Sequence, residues 1–172
     1  MSSCICIIPA RGGSKRIPRK NIVDFWGKPL IAHSIENALN SGIFDEVIVS
    51  TDDEEIASVA KAYKASVPFM RPKELSDDYS SSSEAIRHAI KELMQKGCEF
   101  TSVCCIYATA PLIDSEILRQ AFVEFKKNEC EFVFGACVFE YPIQRAFALD
   151  EQKRVSMFDE SKYSARSQDL TP

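Results

Sequence analysis

The sequence predicts an α/β protein built on a doubly wound, mostly parallel sheet, with a β-hairpin arm following the core. Two observations predict the sheet: apolar runs recur without the polar alternation of a half-exposed strand, and amphipathic stretches at helical spacing separate them. A third sets the scale. The 172 residues, 45% hydrophobic and 27% charged, suffice for a single sizeable core and fall short of two ordinary domains.

Taken in order, Cys4 to Ile8 is an apolar run ended by Pro9 and followed at once by glycine and basic residues, which reads as a buried strand feeding a loop. Ile31, Ile35, Ala38 and Leu39 recur at helical spacing, and Gly42 stands where a helix C-cap belongs. Glu46 to Ser50 is the next strand. Ile56, Ala57, Ala60 and Tyr63 mark a short helix, and Val67 with Phe69 suggest a third strand. The loop from Asp77 to Ser83 holds four consecutive serines, in which Ser81 and Glu84 have capping-box spacing before the stripe Ile86, Ala89, Ile90 and Leu93. Ser102 to Tyr107 and Phe132 to Val138 read as strands on either side of a helix carrying Ile117, Leu118, Ala121, Phe122 and Phe125. Beyond Val138, Arg145 to Leu149 and Arg154 to Phe158 flank the polar turn Asp150 to Lys153, the pattern of a hairpin. The expected organisation is therefore an α/β core over residues 1–138 followed, over 139–172, by a hairpin arm free to pair with another subunit.

Charge and cysteine usage narrow the function. A net charge of -4 offers no broad basic surface for a nucleic-acid backbone. The seven cysteines are odd in number, lack paired zinc spacing and mostly lie in apolar runs, so they are expected as reduced core residues of a cytoplasmic protein. No apolar stretch approaches the ~20 residues of a membrane span, and no signal-peptide pattern opens the chain.

The densest chemistry lies in Arg11, Gly12, Gly13, Ser14, Lys15, Arg16, Ile17, Pro18, Arg19, Lys20 and Asn21, directly after the first strand. Ligands of open parallel sheets bind beyond the carboxyl ends of the strands, which is where this loop falls. The glycines allow close backbone approach to a phosphate, and five cations within ten residues suit a triphosphate. The spacing matches neither the dinucleotide nor the Walker fingerprint. A solvated basic turn is the competing reading.

Here the residues take on a resemblance. Arg11-Gly-Gly-Ser-Lys15 followed by Ile-Pro-x-Lys-Asn21 is similar to the signature of the sugar-acid cytidylyltransferases that make CMP-sialic acids. Ser50-Thr-Asp-Asp53, Arg71-Pro72, Glu74-Leu-Ser76, the serine run and Ala108-Thr-Ala-Pro-Leu112 follow in the same order. The forms Cys105-Ile-Tyr-Ala-Thr-Ala-Pro111, Phe139-Glu-Tyr-Pro-Ile-Gln-Arg145 and Arg166-Ser-Gln-Asp169 look most like the pseudaminic acid branch.

The resemblance implies a Rossmann-like nucleotidyltransferase fold, CTP and a nine-carbon sugar acid as substrates, Mg²⁺ as the ion, and a homodimer joined through the arm. It implies that Arg11, Gly12, Gly13, Ser14, Lys15 and Lys20 hold the triphosphate, with Lys15 meeting transition-state charge, that Asn21 contacts the nucleotide, and that Arg71, Ser80 and Ser82 contact base and ribose. Helix capping is the alternative for the serine run; Asp52 and Asp53 are read as able to orient a ligand, with N-capping of the following helix as the alternative. Arg166 aligns with an arginine near the sugar carboxylate, for which a guanidinium offers a bidentate pair, with Gln168 beside it; a surface ion pair is the alternative. Arg145 is a weaker choice.

Two departures carry meaning. Sialic acid enzymes have a sugar-contacting glutamine in Gln-Pro-Thr-Ser-Pro where this chain has Tyr107, which favours pseudaminic acid over N-acetylneuraminic acid. Relatives are also expected to continue past Pro172, with metal-binding aspartates there. No carboxylate pair in this chain matches those, and neither Asp114 nor Asp169 is nominated. A CTP-binding form without catalysis and a dimerisation module stand as the competing functions.

Overall fold

The structure, a computed structural model, describes residues 3–127, 130–137, 143–166 and 170, apart from the side chain of Arg145. The chain divides into two compact units, Met1–Val133 and Phe134–Pro172.

The first unit is organised on a three-stranded parallel sheet. Strand β1 (Cys4–Pro9) lies in the middle, with β4 (Glu46–Ser50) on one side and β5 (Ser102–Cys105) on the other. Ile7 faces Ile48 across one ladder and Cys105 across the other. A small antiparallel hairpin, β2 (Asp24–Phe25) with β3 (Lys28–Pro29), precedes α1 (Leu30–Ser41) and was not foreseen from the sequence. Its two-residue turn places Trp26 and Gly27 at positive φ.

Because alternate side chains of a strand point to opposite faces, the all-apolar β1 feeds two cores. Cys6 and Ile8 join Val47 and Val49 beneath α1, α2 (Glu54–Ala62) and α4 (Ser115–Lys127), through Ile31, Ile35, Ile56 and Leu118. Ile5 and Ile7 join Ile48 against Ala89 and Leu93 of α3 (Ser82–Gln95) on the other face. Helices on both faces make the sheet doubly wound. Each fully buried isoleucine contributes on the order of 1.5–3 kcal/mol of transfer free energy, which is why the central strand carries no polar residue.

Local signals set the ends of the helices. Gly42 closes α1 in the left-handed conformation, its N–H reaching the Leu39 carbonyl. Ser81 caps α3 in a complete capping box: its Oγ accepts the Glu84 N–H at 3.2 Å, and the Ser81 N–H donates to Glu84 Oε2 at 2.7 Å.

Three expectations change. The strand expected at Val67 and Phe69 is reduced to a single bridge between Ser66 and Ile48, since Pro68 cannot donate to a ladder. The stretch 132–137 forms no strand, and Phe132 and Phe134 are exposed. All seven thiols are free, but Cys98, Cys105 and Cys137 are exposed rather than core residues. Among the described residues no helix is long and apolar enough to cross a membrane.

The second unit contains the hairpin, β6 (Phe147–Leu149) paired antiparallel with β7 (Val155–Met157) around a turn closed by Asp150. Arg154 donates its N–H and Nε–H to the Asp150 carboxylate at 2.9 and 2.7 Å.

Candidate functional site

The carboxyl ends of β1, β4 and β5 open on one side of the sheet, and the loops leaving them enclose a cleft of about 270 Å³. The basic loop after β1 supplies Arg11, Ser14, Lys20 and Asn21 to its wall. The loop before α3 supplies Asp77, Asp78, Ser80 and the capping Ser81, and the exit of β5 supplies Tyr107 and Thr109. Arg71 enters from the segment after α2. The first turn of α3, with Ser82 and Ala85, borders the cleft, so the partial positive charge of that helix end faces it.

The basic loop is held by backbone and side-chain bonds at fixed points. Asn21, buried, donates Nδ2–H to the Arg11 carbonyl at 2.9 Å, closing the loop on itself. The Gly12 N–H donates to Asp52 Oδ1 at 3.0 Å. Asp53 caps α2 by accepting the Glu55 and Ile56 N–H groups, each at 3.0 Å, and also accepts Nη2–H of Arg19 at 2.9 Å. The Arg19 guanidinium and those capping N–H groups hold the Asp53 carboxyl down at about 2.

The two glycines have different surroundings. A Cβ on Gly12 would sit 2.6 Å from Asp53 Oδ2, so the close approach that requires glycine is to the end of β4. At Gly13 a Cβ would meet nothing. The Gly12 N–H, expected to point at phosphate, is committed to Asp52.

Arg71 is almost fully buried, with its Nε–H donated to Ser76 Oγ at 3.0 Å and its N–H to the Thr51 carbonyl at 2.7 Å. Burial pushes its pKa down, Asp52 opposes that and the neighbouring Arg11 adds to it. Arg11 and Arg71 thus form a concentrated positive potential on one wall. The aspartates opposite answer it: Asp78 pairs with Arg11 at 2.9 Å and with Lys15, and Arg11 also donates to the Asp77 carbonyl. Lys15, 82% exposed along its side chain, reaches over the rim and does not line the cleft. Its bond to Asp78 is the main cause of that carboxyl's lowered pKa.

Ser80 donates Oγ–H to Asp77 Oδ1 at 2.8 Å, and Tyr107 is half-exposed with its carbonyl pinned by Ser34 Oγ at 3.0 Å. Eight expected residues therefore share one cleft: Arg11, Ser14, Lys20, Asn21, Arg71, Ser80, Ser82 and Tyr107. Arg166 is exposed and belongs to the second unit, while Gln168 and the side chain of Arg145 lie outside the described residues. Asp77 and Asp78 were missed as site residues, and Asp52, read from the sequence as ligand-orienting or capping, instead braces the basic loop by accepting the Gly12 N–H. The glycine and cation partners of these three aspartates lie 19 to 67 residues away in the sequence, so the acidity of their loops was the main signal.

A family model described as cytidylyltransferase matches residues 5–165, nearly the whole chain and all of the loops that build the cleft. The chain belongs to the cytidylyltransferase family. It is 62% identical over 167 residues to the pseudaminic acid cytidylyltransferase of Campylobacter jejuni, covering 97% of this chain and 72% of that relative. It is 43% identical over 107 residues to the CMP-N,N'-diacetyllegionaminic acid synthase of Legionella pneumophila, covering 62% of this chain and 46% of that one. A solved CMP:2-keto-3-deoxy-manno-octonic acid synthetase complexed with CTP superimposes with a TM-score of 0.64 at 25% identity, over 75% of this chain and 49% of that one. The doubly wound cytidylyltransferase fold is thereby shared with proteins whose names describe CMP attachment to sugar acids.

Proposed function

We propose that this cytidylyltransferase transfers CMP from CTP to a nonulosonic acid, pseudaminic acid before N-acetylneuraminic acid, and releases pyrophosphate. The observation that carries the reading is the convergence of Arg11, Lys20, buried Arg71 and the serine loop on one cleft at the carboxyl ends of the strands. The 62% identity to a pseudaminic acid cytidylyltransferase supports the choice of sugar, as does Tyr107 at the cleft mouth.

In this reading Arg11, Lys15 and Lys20 neutralise the triphosphate, Ser14 and Asn21 fix it, and Arg71, Ser80 and Ser82 receive base and ribose. Arg166 and Gln168 are assigned to the sugar acid. The anomeric hydroxyl oxygen of the sugar bonds to the α-phosphorus as the bond to the bridging oxygen breaks. Pyrophosphate leaves with that electron pair and the hydroxyl proton passes to solvent. Such a transfer depends on alignment and on charge placed where it develops. Asp78 holds Arg11 and Lys15 before nucleotide arrives, so the triphosphate has to displace it.

Mg²⁺ belongs to the proposal as the ion accompanying the triphosphate. Among the described residues no three His, Cys, Asp or Glu side chains converge, so they do not form a site for the ion by themselves and no step runs through it. The free thiols suit a reducing cytoplasm, the compartment proposed here.

Pyrophosphate release from CTP with a panel of nonulosonic acids tests the activity. Turnover with pseudaminic acid at least about tenfold above N-acetylneuraminic acid is expected, a preference worth ~1.4 kcal/mol. CTP binding with no turnover on any sugar acid would select the non-catalytic reading.

We also propose that the arm joins two copies of the chain. Phe147 opposes Met157 and Leu149 opposes Val155 on one hairpin face, and Phe147, Leu149 and Val155 are all exposed. A lone two-stranded hairpin is marginal in water, so an apolar face of this kind gains by being covered. Leu149→Asp is expected to convert a dimer to a monomer in light scattering while leaving CTP affinity unchanged. A monomeric wild-type protein would contradict the assignment.

A further inference from the structure

We propose that Asp52, which does not line the cleft, is a positioning residue that locks the triphosphate loop and Arg71 into one arrangement. The inference rests on the cleft being the CTP site.

Its grounds are geometric. Asp52 follows β4 in a turn tied down at each step: buried Thr51 gives its carbonyl to the Arg71 N–H at 2.7 Å and its Oγ1 to the Asp53 N–H at 3.2 Å. From that turn a single oxygen, Asp52 Oδ1, meets both halves of the site. It accepts the Gly12 N–H at 3.0 Å and stands 3.8 Å from Arg71 Nη2. The Arg71 side chain is 3% exposed and that of Asp52 is 20% exposed, so the pair is largely shielded from solvent. A guanidinium taken out of water needs a counter-charge, and close to Arg71 the neighbouring Arg11 is repulsive. With Asp52 gone, Arg71 would face that repulsion alone and the Gly12 N–H would lose its acceptor. Both the phosphate end and the base end of the nucleotide would then meet displaced partners.

The sign of the effect makes the idea testable. An anion site should gain affinity for CTP when a nearby carboxylate is deleted, if charge alone matters. A positioning role predicts the reverse. Asp52→Ala is expected to raise the Kd for CTP about tenfold or more, and to raise KM for CTP with kcat changed less than about threefold. Asp52→Asn keeps an acceptor for Gly12 without the charge and is expected to fall between Asp52→Ala and wild type.

A double-variant cycle with Arg71→Ala separates this role from general destabilisation, because coupled positions are non-additive. In the Arg71→Ala background, replacing Asp52 by Asn is expected to cost less than half of what it costs alone. The isosteric Asn variant keeps the experiment open if the Ala variant fails to fold. Unchanged or tighter CTP binding in Asp52→Asn, or strict additivity with Arg71→Ala, would overturn the proposal. If wild type itself does not bind CTP, the reading of the cleft fails instead, so the two failures are distinguishable.

Discussion

Lys15→Ala is expected to reduce kcat/KM for CMP transfer by about 10²–10³, the range seen when one preorganised charge or donor is removed from developing phosphoryl or oxyanion charge. The residue is suited to so selective an effect. Its side chain is 82% exposed, and the partner it meets is Asp78 on the rim of the cleft, not a core residue. An exposed ion pair adds little to folding, so the melting temperature should move by no more than about 3 °C. Kinetics and a thermal melt on the same preparation check both halves. A collapse of stability with activity retained would mark the basic loop as structural.

Gly12→Ala is expected to be damaging in a different way, because it strikes fold and site together. The added methyl would lie 2.6 Å from Asp53 Oδ2 and 3.0 Å from Asp53 Cβ, too close to both. Asp53 would have to yield, and with it the α2 cap and the bond to Arg19. A lost cap costs roughly 0.5–2 kcal/mol, or about 1–8 °C in melting temperature for a chain of this size. The loop would shift by a fraction of an ångström to about 1 Å, enough to lower CTP turnover by up to about 10²-fold. Adding Asp53→Ser to the variant removes the colliding oxygen while leaving a capping hydroxyl, and should recover part of the lost stability. Calorimetric melts of the single and double variants check this. Equal melting temperatures for Gly12→Ala and wild type would contradict the packing described.

The fold was legible where local chemistry dictates it. The unbroken apolar run of β1 predicted a strand buried on both faces, Gly42 predicted the end of α1, and the Ser81–Glu84 spacing predicted the capping box that starts α3. The segments Arg145 to Leu149 and Arg154 to Phe158, flanking a polar turn, predicted the hairpin whose strands pair over Phe147–Leu149 and Val155–Met157. Pairing between distant segments was less legible. Pro68 reduces an apolar segment to one bridge, and Phe132 and Phe134 stay outside any described ladder although their composition suits a strand.

The site divides along the same line. Arg11, Arg71, Ser82 and Tyr107 come from four separate segments, and their convergence follows from parallel strands that end on one side. The partners of the carboxylates were not legible because their role is relational. Asp52 is defined by Gly12 and Arg71, and Asp78 by Arg11 and Lys15, contacts that exist once the sheet has brought the loops together. The glycine motif gains a packing contact that the sequence does not reveal: Gly12 makes room for Asp53, while Gly13 faces open space.

The central claim is that this cleft is a cytidine triphosphate site, and calorimetric titration of the wild-type chain with CTP, alongside ATP, GTP and UTP, tests it most directly. Saturable one-site binding of CTP is expected, at least about tenfold tighter than any of the other three and weakened at least about tenfold in Arg71→Ala. Absence of CTP binding, or equal affinity for all four nucleotides, would contradict it.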